Sequence, residues 1–128
     1  MGWKSFEEIE IWQRARRINR EIWELTRDSA IRQDMGIVRQ MLDSSGSMMD
    51  NIAEGFERGS NNEFKTFLGY AKGSAGELRS QLIRLHDRGQ LSYQTRNSIT
   101  SEIMTFSRMT KALIKSLKGS QRRGFRID

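Results

Sequence analysis

The chain predicts an all-α fold, an up-down antiparallel four-helix bundle, and three observations carry that prediction. None of its 128 residues is proline, where average usage of about 5% would give roughly six. Strong helix formers recur along its whole length. Two long segments carry core-type residues in alternating steps of four and three: Phe64, Leu68, Ala71, Ala75, Leu78, Leu82 and Leu85, then Ile99, Ile103, Phe106, Thr110, Leu113 and Leu117. That is the seven-residue repeat that keeps one seam of a helix turned toward its partners.

The first predicted helix starts after Ser5, because Ser5 and Glu8 stand at the spacing of a capping box, in which each side chain satisfies an orphaned backbone donor. Its buried stripe reads Ile9, Trp12, Ala15, Ile18, Ile22 and Leu25. Residues Asp28 to Asp34 lack periodicity and form the predicted loop. The second helix runs from about Gln33 to Arg58, with Val38, Met41, Leu42, Met49, Ile52 and Phe56 on one side and Gly59 at the stop position. Ser60 and Glu63 repeat the capping box and open the third helix, which Gly89 ends. Ser92 caps the fourth, and Gly119 begins a polar tail. The chain thus divides into a bundle domain, residues 1–118, and a basic tail, residues 119–128. Short connections between helices of roughly 22 to 28 residues favour antiparallel neighbours.

Ile11, Trp23, Met48, Phe67, Tyr70, Ile83, Met104 and Ile114 lie outside these stripes. They fit either a subunit interface or ordinary wide-stripe core packing. Gly69, Gly73 and Gly76 interrupt the third helix, where each costs about 1 kcal/mol relative to alanine. Together with Ala71, Ser74 and Ala75 they predict the close approach of another helix.

Composition removes several classes of chemistry. Without cysteine there are no disulfides and no thiolate metal sites, which suits a reducing cytoplasm. No signal-peptide core and no run near 18 apolar residues is present, so a membrane role is not expected. Lys72-Gly73-Ser74 lacks the order and the strand-to-helix context of a phosphate-binding loop. A bundle di-metal site needs Glu-x-x-His pairs, and the chain has one histidine. No cofactor and no metal are expected.

The net charge of +6 is unevenly spread. Residues 1–28 balance, 29–59 are slightly acidic and 60–91 slightly basic, while 92–128 hold eight basic residues against two acidic ones. Arg108, Lys111, Lys115 and Lys118 step by three, four and three, forming one stripe turned away from Phe106, and it continues into Arg122, Arg123 and Arg126. Such a row suits the phosphates of a nucleic acid, with Phe125 available to stack on a base. An acidic protein partner, or solubility alone, is the competing reading. The arginines of the first helix are interleaved with Glu10, Glu21 and Glu24 and read as solvated surface.

Asn51, Glu54 and Arg58 share a face of the second helix, and Glu63, Glu77 and Gln81 are their complements on the third. These six predict a structural polar network pinning the two helices together. Arg79 and His86 are similar to the Arg-x4-6-His motif of HEPN ribonucleases, in which a histidine near neutral pKa beside an arginine serves acid-base cleavage of RNA. A solvated histidine at a helix C-terminus is the alternative.

The stretch Asn51-Ile52-Ala53-Glu54-Gly55 through Phe64, and the block Gly73-Ser74-Ala75-Gly76-Glu77, carry a family likeness that extends from Phe6–Trp12 to the last apolar helix. The chain resembles the bacterial four-helix-bundle proteins of 23S ribosomal RNA intervening sequences, a family that includes the accessory variability determinant of diversity-generating retroelements. The two blocks match the broad intervening-sequence group more closely than the retroelement group. The resemblance implies a homo-oligomer, a pentameric barrel, and a possible reverse transcriptase partner with its template RNA. The expected function is therefore a non-enzymatic, cytoplasmic, oligomeric scaffold for structured RNA or DNA. A protein-assembly module without nucleic acid is the alternative.

Overall fold

In the computed structural model, which describes residues 2–117, every regular element is a helix. A single 3-10 turn, Phe6–Glu8, leads into α1 (Glu10–Leu25). The one-turn α2 (Ser29–Arg32) follows, and then the long α3 (Met35–Glu57), α4 (Asn61–Asp87) and α5 (Tyr93–Ser116). The long helices pack in the ring order α1, α3, α4, α5, with α5 closing against α1. Cross-helix bonds fix the sense of the central pair. Ser74, Gln81 and Arg84 of α4 and its C-cap residue Arg88 bond Ser47, Ser44, Gln40 and the α3 cap residue Asp34, respectively. Partners step back along α3 as they step forward along α4, so the two are antiparallel.

The seam predicted for α4 is buried at all seven positions, and Ile99, Ile103, Phe106 and Thr110 bury on α5. Residues Ile11 and Met48 join the core, so the stripes of α1 and α3 are wider than their sequence pattern suggests. Trp23, Tyr70 and Ile83 remain exposed.

The N-terminal capping box does not form. Ser5 makes no side-chain cap, and Glu8 instead accepts from the Lys4 backbone N–H at 3.3 Å. Ile9, extended and fully buried, separates the 3-10 turn from α1. Burial drives this entry. Phe6 meets Trp12 edge-on at 5.2 Å, and Trp3 reaches both Phe56 and Phe64. The predicted loop over 28–34 contains a helical turn, because Asp28 accepts from the N–H groups of Ala30 and Ile31 and Ile31 is buried. Asp34 then caps α3, which begins two residues later than Gln33. The Ser60 and Ser92 caps form as expected, accepting from Glu63 and Thr95. Gly59 and Gly89 follow their helices with positive φ, the conformation glycine adopts without a β-carbon clash.

No helix of the chain's described residues makes the predicted close approach to Gly69, Gly73 and Gly76. All three are exposed, and among the described residues nothing outside the local helix backbone lies within 4 Å of where a β-carbon would sit. The tight glycine is Gly55 on α3, where a β-carbon would lie 2.6 Å from Cβ of Phe67.

Candidate nucleic-acid interface

On the outer surface of α5, Arg108, Lys111 and Lys115 are exposed. Among the described residues no carboxylate pairs with any of them; Arg108 donates only to Thr105 Oγ1, at 3.1 Å. Lys118, Arg122, Arg123, Phe125 and Arg126 lie outside the described residues. Some of the cations on and just after α1 are engaged within the chain. Arg14 pairs with Glu10 at 3.3 Å, Arg27 with Glu24 at 3.5 Å, and Arg16 stacks over Trp12. The compensation that the interleaved charges predict is partial, because exposed Arg17 and Arg20 are in no ion pair among the described residues.

The six residues predicted as one polar network fall into separate groups. Arg58 bonds Glu54 at 2.7 Å and reaches Glu63 at 3.6 Å across the α3–α4 turn, with its guanidinium over the Phe67 ring. Glu63 in turn accepts from the Ser60 hydroxyl. Asn51 donates within α3, to the carbonyl and hydroxyl of Ser47. Gln81 donates to Ser44 Oγ at 3.0 Å. Glu77 is exposed, lining an open α3–α4 groove of about 640 Å³ with Asp43, Ser80 and Arg84. Serines that sequence reading passed over also join the helices. Ser47 meets Ser74 at 2.9 Å, and Ser45 accepts from Asn19 of α1 at 2.8 Å. Their signal was available: Ser44, Ser45 and Ser47 interrupt an otherwise apolar face at helical spacing.

His86 closes the α4–α5 turn. Its Nδ1–H donates to the Leu91 carbonyl at 2.9 Å, and its ring lies against Tyr93. Arg79 stands seven residues earlier, about 10.5 Å along the helix, and its buried Nε has no hydrogen-bond partner.

Between α1 and α5, Glu21 hydrogen-bonds Glu102. Burial, with that bond and the Glu102 charge, raises the Glu21 carboxyl to about 7, and Arg17 offsets part of the shift. Among the described residues, no three His, Cys, Asp or Glu side chains cluster so as to hold a metal ion. No described helix is long and apolar enough to cross a membrane.

Fold and surface together define an all-helical bundle with serine-bonded inner helices and an uncompensated basic face. The chain belongs to the 23S rRNA-intervening sequence protein family, whose model matches residues 7–112. A solved structure of a protein of unknown function from the S23 ribosomal protein family of Bacteroides thetaiotaomicron is similar, with a TM-score of 0.75. At 18% identity, the match covers 83% of this chain and 99% of that one. No curated protein matches the chain.

Proposed function

We propose that this protein is a non-enzymatic, oligomeric scaffold that binds structured nucleic acid through the phosphate backbone. The observation that carries the reading is the α5 row Arg108, Lys111 and Lys115, exposed and without ion pairs among the described residues. Cations with no partner of their own are the groups that release counterions from a polyanion and so drive association. In sequence the row runs on into Lys118, Arg122, Arg123 and Arg126, enlarging the charge a backbone would meet. The family description points to RNA first, and a reverse transcriptase ribonucleoprotein is one assembly such a scaffold serves.

Self-association fits the opposite side of the ring. Trp23 and Met35, 57% and 48% exposed, flank a cavity of about 320 Å³ on the α1–α3 side, lined also by Val38 and Leu42. Exposed apolar surface of this kind marks contact faces, and five copies is the number the family resemblance implies. An assembly module without nucleic acid is the second reading, carried by this same face.

The test is binding of a labelled structured RNA and a DNA duplex across a salt series, with the intact chain and a form ending at Lys118. Binding that weakens steeply with salt supports the scaffold. Absence of binding at moderate ionic strength, with a clean oligomer free of nucleic acid after purification, transfers the function to protein assembly.

A further inference from the structure

We infer that the nucleic-acid surface is a two-row track shared by α4 and α5, built for the two backbones of a duplex, with Lys65, Lys72 and Arg79 supplying the second row. The inference rests on the phosphate-binding reading above.

The second row follows from the core seam. Phe64, Ala71, Leu78 and Leu85 are fully buried, and each is followed immediately by one member of the series Lys65, Lys72, Arg79 and His86. One residue is about 100° of rotation, so this series runs along one flank of α4. The other flank is occupied: Ser74, Gln81 and Arg88, each three residues after a seam position, bond α3 and its cap. His86 makes its contacts with Leu91 and Tyr93, which identifies the Lys65 flank as the α5 side.

On α5, Lys111 is eighteen residues after Tyr93, five whole turns, and therefore shares its side of the helix. Tyr93 touches His86, so Lys111 lies toward α4, and Arg108 and Lys115 are its neighbours one turn away. Register follows from the same contact, because α4 and α5 fold back on each other through the short Arg88–Ser92 connection. Counting from His86 and Tyr93 at about 1.5 Å per residue, Lys72 stands about 21 Å along and Arg108 about 22.5 Å. Lys65 and Lys115 match at about 31.5 and 33 Å. The two rows run side by side.

All four carboxylates of α4 and α5 are committed elsewhere or distant. Glu63 bonds Arg58 and Ser60 at the α3 turn. Glu77 lines the α3–α4 groove, Glu102 bonds Glu21 of α1, and Asp87 sits at the far end beside His86. Among the described residues none of the six cations of the track is in an ion pair; Lys72 and the α5 row are exposed, and Lys65 and Arg79 are half-buried. Exposed Gly69 and Gly76 border Lys72 with bare backbone, so a bulky ligand meets no side chain there.

Two rows separated by a helix-packing distance of about 8–10 Å suit two phosphate tracks. Single-strand binders also present aromatic platforms for base stacking. Along this stretch Phe64 and Phe106 are buried in the core, exposed Tyr70 packs edge-on against Phe67 on the α3 side, and exposed Tyr93 stands at the connection end against His86 and Arg96.

The experiment compares the full-length chain with two triple variants, K65Q/K72Q/R79Q and R108Q/K111Q/K115Q. A control of equal charge change, R20Q/R32Q/R39Q, alters exposed arginines on α1, α2 and α3. Each is checked for helicity and melting temperature, then titrated with a duplex and a single strand of equal length across salt. The track predicts that each row variant lowers the duplex salt slope by about 2.7, at about 0.9 per phosphate contact. It also predicts that the α4 variant loses the preference for duplex and that the control changes little. Loss in the α5 variant with none in the α4 variant overturns the track and leaves the α5 reading standing. Equal losses in all three variants replace it with diffuse net charge, and a wild-type protein that binds neither ligand removes both readings together.

Discussion

Gly55 on α3 lies so close to Phe67 on α4 that a β-carbon added to it would sit 2.6 Å from the Phe67 β-carbon. The neighbour is rooted at the backbone and cannot swing away, so Gly55→Ala must push α3 and α4 apart. Overpacking of this kind costs about 1–3 kcal/mol, against a gain of up to about 1 kcal/mol in helix propensity. Net destabilisation is expected, read as a lower urea midpoint with unchanged slope. A midpoint at or above that of the wild type would show that the contact does not set the helix spacing.

Gln81 is 8% exposed, and its amide N–H donates to Ser44 on the facing helix. Ser44→Ala removes the acceptor and leaves a buried donor unsatisfied, at about 1–3 kcal/mol. Adding Gln81→Leu discards the orphan, so the double variant should recover most of the loss. A double variant whose loss equals the sum of the two singles would refute the pairing. The measurement is chemical denaturation of all four proteins in the cycle.

At Gly73 the expectation has the opposite sign to that at Gly55. A β-carbon there meets nothing within 4 Å, so Gly73→Ala should stabilise α4 by about 1 kcal/mol and raise the melting temperature by a few degrees. Thermal unfolding followed by circular dichroism decides it. A fall would mean that the bare strip is filled by something outside the described residues, such as a second copy.

Periodicity made the seams of α4 and α5 legible, because a seam that keeps its seven-residue repeat along a whole helix, three heptads in α4, admits one helical solution. The Ser60 and Ser92 caps and the Gly59 and Gly89 stops were legible for a local reason: each device acts within its own turn. Ser5 and Glu8 had the same spacing as Ser60 and Glu63 yet formed no box, since burying Ile9 outweighed a cap that solvent can replace. The three α4 glycines misled because low helix propensity does not say on which face the space lies. The α5 row was visible as a run of charge. Lys65, Lys72 and Arg79 were hidden by their spacing, seven residues apart among neutral neighbours, and acquire meaning only when α5 supplies the adjoining row and the carboxylates are seen to face elsewhere.

The last expectation concerns pH. Glu21 has a folded-state pKa raised from 4.5 to about 7, by burial first and then by its bond to Glu102. Arg17 acts against the rise, and Arg20 and Glu24 line the adjoining cavity wall. Because the folded protein holds this proton more tightly than the unfolded chain, the associated stability is fully present below about pH 4.5. It drains away as pH rises through about 7. Glu21→Gln keeps a neutral hydrogen-bonding side chain at every pH. The variant should therefore match the wild type near pH 4.5 and exceed it in melting temperature at pH 8, with the gap opening across the interval. Parallel melts of the two proteins at constant ionic strength measure that gap, and a gap that does not change with pH would place the titration elsewhere.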